Sequence, residues 1–410
     1  MSKPWHFLWL EGVFDELTVK AFPSISPASN FWQKGFLNAL RTQGHGVDVI
    51  GHPVERIWPF GRFAVRRSEA ALLPGVGGRM VGFLNVPGLR AASQYLCMLR
   101  AIRAHWREVE RGNARRPDFQ VVFSCLEKAS DATAAIRMAR YVRRRFGVPW
   151  LCIVADGEAP PGADGYIHLA WSHFEAARVA GNGVSPMIHV DGGIAEIPCM
   201  SVPSAHVGWT KEPRVLMYMG ALTAHGGALE LAQAFTQLPD QTIELWLCGR
   251  GENPELQRLA KADSRIRLKG FVDEDVLHGL ASRAFAFANP RPASFEPNKL
   301  NYPSKLLHYL AYGKPVISTF TDGVSPDYQM ALIPVQDESI ASLSQAIRSV
   351  MDLDPMQYQE VQRRVAEFNV THTWSHQIER VMAWLGHLKY GEAAPTAPSS
   401  VNFMVDSGAP

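Results

Sequence analysis

The sequence predicts an α/β protein made of two Rossmann-like, doubly wound parallel-sheet domains that face a cleft. Three observations predict it. Strand-like and helix-like stretches alternate almost throughout the chain, the pattern of repeated βαβ units. Several strand candidates are short, continuous apolar runs rather than alternating ones, as expected of strands buried on both faces. At 410 residues the chain is too long for one compact core and suits two domains of ordinary size.

The first strand is read at residues 6–10, in an N-terminus (MSKPWHFLWLEGVFDE) whose single Lys and early acidic residues suit a strand better than a signal peptide. Further strands are expected at 47–51, 121–125, 150–155, 165–170 and 187–190, with helices at 31–42, 89–111, 131–145 and 173–179 between them. The stretch 197–214 (IPCMSVPSAHVGWTKEPR) is Pro-rich and weakly patterned, so the domain boundary is placed there. The alternation then resumes, with strands at 215–220, 243–248, 266–268, 285–289 and 315–319 and helices at 229–238, 254–262, 275–283 and 303–312. Two more helices lie beyond Asp354; the last, 373–388, carries Trp374, Ile378, Val381, Met382 and Leu385 on one face. The expected organisation is an acceptor-side domain at 1–200, a linker at 201–213, a second domain at 214–370, a closing helix at 371–390 and a disordered tail at 391–410 rich in Ala, Pro, Ser and Gly.

Composition narrows the class. Hydrophobic residues make up 47% and charged residues 20%, as in a soluble enzyme, and no apolar run reaches the ~20 residues of a membrane span. Cys97, Cys125, Cys152, Cys199 and Cys248 lack CxxC or Cys/His ligand spacing, so reduced thiols in a cytosolic protein are expected and no metal site is. The net charge of +2 conceals an asymmetry, with 23 Lys and Arg against 17 Asp and Glu in residues 1–200 and 18 against 22 in residues 201–410. The first half is the basic one. No nucleic-acid motif accompanies that charge.

The segment 289–320, NPRPASFEPNKLNYPSKLLHYLAYGKPVISTF, carries the most chemistry, because a polar loop and a helix start sit between two buried strands. Leu306, Leu307, Leu310 and Ala311 set the helical spacing, Pro303 or Ser304 suits its first turn, and Gly313 suits its C-cap. Free N–H groups at a helix start, with Lys305 in the first turn, suit a pyrophosphate. In order and spacing, the Pro-Ser-Lys-Leu helix followed by Ala311-Tyr312-Gly313-Lys314-Pro315-Val316 resembles the donor-binding domain of GT-B glycosyltransferases, especially family-4 (group 1) enzymes.

That resemblance implies a nucleotide-sugar site along the second domain. Gly220, at the end of strand 215–220, and Gly226 and Gly227 in the following turn are candidate phosphate contacts. Arg250, in Cys248-Gly249-Arg250-Gly251, lies at the next strand's C-terminal end, and Phe271, in Lys269-Gly270-Phe271-Val272, is placed to pack beside the base. The polar loop offers Ser294, Phe295, Glu296, Asn298 and Lys299 to sugar hydroxyls, with Glu296 the leading candidate. Ser304, Lys305 and His308 complete the donor set.

Departures from the family pattern are equally informative. The usual Arg and Lys clamp on the diphosphate falls on Ala221 and Gly226, which leaves neutralisation to Lys305, the helix start, His225 or Arg250. The two Glu residues eight apart expected of retaining family-4 enzymes fall on Leu300 and His308. Locally, Ser304-Lys305-Leu306-Leu307-His308-Tyr309 and Val154-Ala155-Asp156-Gly157 resemble motifs of xanthan-type glucuronosyltransferases, which makes Asp156 the candidate general base, although Asp-Gly is also common turn punctuation. Family-4 enzymes often have a His near that strand, and none occurs in residues 150–164 here, which favours inversion without deciding it. Asp191-Gly192-Gly193-Ile194 resembles a cleft-lining turn of the family.

The expected function is transfer of a sugar from a UDP- or GDP-linked donor to a glycan or lipid-linked acceptor, in surface polysaccharide or glycolipid synthesis, with no cofactor or metal. Trp58, Phe60 and Phe63 interleaved with Arg56, Arg62, Arg66 and Arg67, and Arg137, Arg140, Arg143, Arg144 and Arg145 on one helix, suit anionic lipid headgroups and a cytoplasmic, peripheral inner-membrane position. A non-catalytic nucleotide-sugar-binding subunit and a GT-B sugar-nucleotide epimerase are the competing readings.

Overall fold

In the computed structural model, residues 4–67, 72–126, 133–181, 185–194 and 213–390 are described. Nearly all of the expected linker and the whole expected tail lie outside them. Two parallel sheets form the architecture, each with helices on both faces. In chain order the first half contains β1 (His6–Trp9), α1 (Glu16–Ala21), α2 (Pro27–Thr42), β2 (Gly46–Gly51), β3 (Ala64–Val65), β4 (Gly77–Met80), β5 (Phe83–Leu84), α3 (Arg90–Glu110), β6 (Phe119–Leu126), α4 (Ala134–Phe146), β7 (Trp150–Gly157), β8 (Gly165–His168), α5 (Trp171–Ala180) and β9 (Met187–His189). The second half contains β10 (Arg214–Met219), α6 (Ala228–Thr236), β11 (Ile243–Cys248), α7 (Pro254–Ala262), β12 (Ile266–Gly270), α8 (Glu274–Arg283), β13 (Ala286–Asn289), α9 (Glu296–Lys299), α10 (Lys305–Leu310), β14 (Val316–Ser318), β15 (Ile333–Pro334), α11 (Ile340–Met351), α12 (Pro355–Thr371) and α13 (Trp374–Tyr390).

The first sheet has seven parallel strands in the order β4-β2-β1-β6-β7-β8-β9, and the second has six in the order β12-β11-β10-β13-β14-β15. Each order reverses once, between β1 and β6 and between β10 and β13. At such a reversal the connections leave in opposite directions and open a crevice beyond the strands' C-terminal ends, where ligands bind. Along β1, Phe7 and Trp9 enter one core while Leu8 and Leu10 enter another, so this strand is buried on both faces.

Capping fixes where helices begin. Ser26 accepts from the Ser29 N–H at 3.3 Å with Pro27 in the first turn of α2, and Asp354 and Gln357 form a reciprocal capping box on α12. The two long C-terminal helices serve different sheets. Val361, Val365 and Phe368 of α12 join the core of the second, whereas Trp374, Ile378, Val381 and Leu385 of α13 join Trp9, Trp32 and Phe36 in the core of the first. Trp374 meets Trp32 edge-on, with ring centroids 5.3 Å apart, and is 8% exposed. Truncating a buried Trp removes both transfer energy and packing, so Trp374→Ala is expected to cost about 3–5 kcal/mol. A fall in the urea midpoint without a change in slope would show it.

Four features were not legible in the sequence. The helices α1, α9 and α11, the short strands β3, β4, β5 and β15, and the antiparallel β3–β5 pair were not anticipated. The phosphate-side helix is also shorter than expected. It spans Lys305–Leu310, Ser304 makes no side-chain cap, and the preceding Pro303 lies outside it.

Candidate functional site

At the reversal in the second sheet, β10 leads into Gly220 and β13 leads into Pro290 and Arg291. Lys305, at the start of α10, extends toward this point. Its Nζ lies 3.1 Å from the hydroxyl of Tyr218 and 4.2 Å from the centre of that ring. The Tyr218 hydroxyl donates onward to the Ala221 carbonyl at 2.7 Å. Tyr309 bonds both the N–H and the carbonyl of Met219 through its hydroxyl, at 2.9 and 2.8 Å, which pins α10 to β10 and places Lys305.

Gly220 has φ +159°, and a Cβ there would lie 3.1 Å from the Lys305 Nζ. Glycine thus leaves the ammonium open on one side. Gly227 has φ +74° and packs so closely on the Pro290 carbonyl that a Cβ would lie 1.9 Å from its oxygen. These glycines act through close approach rather than as free amide donors. The N–H groups of Gly220, Gly226 and Gly227 bond the carbonyls of Cys248, Thr223 and Ala224 at 2.9, 2.9 and 3.2 Å.

Arg291 is the main residue that sequence reasoning missed. It is 6% exposed, and its Nε donates to Asn298 Oδ1 at 2.6 Å. Asn298 is fully buried and spends its Nδ2 on the carbonyls of His225, at 3.1 Å, and Pro292, at 2.7 Å. The only sequence signal was a cation two residues beyond a strand's C-terminal end, and it was masked by the more familiar Lys305 motif.

Two buried cations therefore converge. Burial, with Arg291 nearby, pushes Lys305 down to about 7, and burial also lowers Arg291, opposed by Asp156 and Tyr218. His225 is lowered too, by burial and by both cations, and its Nδ1 lies 2.9 Å from the Thr223 hydroxyl.

The carboxylate acting on Arg291 comes from the other sheet. Asp156 sits at the end of β7, where the pairing with β6 skips one residue: Ser124 faces Val154 but Cys125 faces Asp156. The bulge at Ala155 re-aims the next side chain. Asp156 is solvent-exposed at the strand's end, and desolvation raises its carboxyl above the ordinary range, opposed by Arg291 and His173. His173, near the start of α5, has a buried Nδ1 without a hydrogen-bond partner, and burial lowers it while Asp156 opposes the shift. No His was found in the sequence beside this strand, but the fold brings one from a later helix. Beyond β1, the neighbour of β6, burial lifts Glu11 to about 8.

Other expected site residues take different roles. Arg250 lies over the Phe271 ring at 3.9 Å, and Phe271 is 63% exposed, so these two form one flat, cationic surface past β11 and β12. His308 stacks between Phe31 of α2 and Tyr312, with centroids 6.3 and 5.9 Å away, and burial with His278 nearby lowers it to about 4. It is neutral at physiological pH, which leaves the neutral form of the expected donor, held in aromatic packing across the cleft. Ser304 is exposed and uncapped.

The polar groups of the loop expected to bind hydroxyls have partners within the protein. Glu296 pairs with Lys299 at 2.6 Å, its side chain 79% exposed, and Ser294 bonds Glu338 through both N–H and hydroxyl at 2.5 Å. Glu296 therefore stands at the surface in an exposed ion pair with Lys299. Asp191 is buried behind this region, where its carbonyl accepts from Trp32 Nε1 at 3.0 Å. Among the described residues, no three His, Cys, Asp or Glu side chains group to hold a metal.

Comparisons with known proteins agree with this geometry. Residues 213–352 match a family model described as glycosyl transferases group 1. No curated protein matches the chain by sequence. A glycosyltransferase from Rickettsia africae superposes with a TM-score of 0.62 at 11% identity, over 95% of this chain and 100% of that one. An α,α-trehalose-6-phosphate synthase from Burkholderia multivorans gives 0.59 at 12% identity, over 96% and 100%. HepE from Anabaena, in complex with UDP, gives 0.59 at 13% identity, over 92% and 99%. Residues 213–352 thus match a group 1 glycosyltransferase domain, and the chain as a whole has the two-domain GT-B fold of the glycosyltransferases it superposes on.

Proposed function

We propose that the enzyme transfers a sugar from a nucleoside-diphosphate sugar to a hydroxyl of a glycan or lipid-linked acceptor, in the synthesis of a surface polysaccharide or glycolipid. The observation that carries this reading is the convergence of Lys305 and Arg291 at the sheet reversal, where Arg291 feels Asp156 from the opposite sheet and, among the described residues, Lys305 has no carboxylate acting on it. Two desolvated cations with so little compensation favour a ligand of two or more negative charges. A diphosphate meets that need, and a UDP-bound neighbour of the same fold is consistent with it. The Arg250–Phe271 surface, past β11 and β12 of the same sheet, is the candidate to receive the nucleoside.

In this reading the leaving diphosphate is stabilised by Lys305 and Arg291, which take over from the absent Arg and Lys at positions 221 and 226. Asp156 takes the proton from the attacking hydroxyl. Charge neutralisation by side chains calls for no metal and no cofactor. Transfer is expected to be unchanged after treatment with a chelator, whereas loss of activity restored by a divalent cation would contradict the assignment.

Thermal-shift measurements with UDP, GDP and their sugars test the donor site directly. Stabilisation by one nucleotide series is expected. No response to any of them would remove the reading, since a ligand that binds the folded state must raise its melting temperature.

A further inference from the structure

The first sheet's outer surface has a feature that the donor site does not use. Residues 54–63 form a platform held by Asn85, which is fully buried and bonds the carbonyls of Arg56 and Arg62 at 2.5 and 2.8 Å through Nδ2, while its backbone bonds Trp58 and Phe63. The platform displays Trp58, Phe60 and Phe63 with exposures of 45, 81 and 57%. Trp58 and Phe63 meet edge-on, 6.1 Å between centroids. Leu84, Leu89 and Leu96 continue the exposed apolar surface along β5 and the first turns of α3. Single exposed apolar residues are ordinary, but a contiguous and rigidly mounted set marks a contact surface.

Cations border it. The helix α4 carries five arginines and no acidic residue, and α3 has none before Glu108. Between α3 and α4 lies a groove of about 580 Å³ lined by Tyr95, Arg137, Arg140, Tyr141, Arg144 and Arg145, with no carboxylate in its wall. Among the described residues, Arg56, Arg137 and Arg144 have no carboxylate in ion-pair range, whereas Arg62 is spent on Glu55 and on the Phe22 ring.

We propose that this face docks on an anionic lipid bilayer, with Trp58, Phe60 and Phe63 entering the interface and the α3–α4 arginine groove receiving lipid phosphates. Aromatic rings seat at the headgroup level, and guanidinium groups pair with phosphate oxygens. The aliphatic Val54, Ile57, Leu84, Leu89 and Leu96 favour a bilayer over a nucleic acid or a soluble polyanion, since aliphatic groups gain nothing from base stacking or from phosphate in water. The proposal deepens the reading of a lipid-linked acceptor, but the surface stands on its own residues.

Co-sedimentation of the full chain with phosphatidylcholine vesicles, with and without phosphatidylglycerol, tests it. Partitioning onto the anionic vesicles that weakens with salt is expected. Arg137→Gln with Arg144→Gln should weaken it about fivefold per arginine, from the ~1 kcal/mol each basic residue gains at an anionic surface. Phe60→Ser with Phe63→Ser should abolish it, and both pairs are exposed enough to leave folding intact. Absence of binding to anionic vesicles, binding that both variants retain, or binding of only a soluble polyanion such as heparin would overturn the proposal. Nucleotide-induced thermal shifts in the same variants report separately on the donor site, so failure of the surface and failure of the donor reading are distinguishable.

Discussion

Lys305→Met is expected to abolish nucleotide-dependent stabilisation and to lower kcat/KM for the donor by the equivalent of about 2–5 kcal/mol, the usual effect of removing one partner from a buried charged contact. The same residue sets a pH dependence of binding. In the free enzyme Lys305 is held down to about 7 by burial and by Arg291, and a bound diphosphate raises it. Below pH 7 the ammonium is already present and affinity is flat. Above it, each binding event must take up a proton, so affinity falls by up to tenfold per pH unit until the raised value in the complex is reached. Calorimetry in two buffers of different ionisation enthalpy measures that uptake. A pH-independent affinity between pH 7 and 9, with no proton uptake, would show that the ammonium does not face the diphosphate. In the unliganded protein the sign is opposite for stability: a lysine whose folded value is depressed leaves the unfolded state binding more protons above pH 7, so stability rises with pH until the ordinary lysine range.

Asp156→Asn is expected to leave the nucleotide-induced thermal shift intact while reducing transfer by about two to four orders of magnitude, the range for loss of a positioned general base. Asn keeps the volume and one acceptor oxygen but cannot take a proton. Because burial raises this carboxyl, opposed by Arg291 and His173, the acid limb of kcat/KM should lie above that of an ordinary aspartate. Activity is lost as pH falls through that raised value, and the alkaline limb follows Lys305, which together give a bell. Wild-type turnover in the Asn variant would assign the proton to another group, with the neighbouring His173 the next candidate. If the acid limb survives the substitution, the same conclusion holds.

The donor side illustrates what local pattern can and cannot convey. Lys305 was legible because its neighbours, Pro303 through Tyr312, form a short-range pattern with strand signals on either side. The loop before it offers suitable chemistry in Ser294 and Asn298, but the partner each finds lies far along the chain, Glu338 for Ser294 and His225 for Asn298. Arg291 carried no motif. It became a site residue only because β13 lies beside β10, a pairing between segments some seventy residues apart. The six-residue length of α10 likewise shifts the emphasis from the helix dipole to the side-chain cations.

The sequence by itself determined the fold class, most strand and helix positions and the identity of Lys305 and Asp156 as candidates, because continuous apolar runs and turn residues act over short range. The tertiary structure decided what surrounds them. It set Arg291 beside Lys305, brought His173 to Asp156, turned His308 into a neutral stacking partner of Phe31, and tied Glu296 to Lys299. Desolvation and neighbouring charge depend on which strands adjoin and how deep their ends lie, and neither quantity is encoded in any single segment.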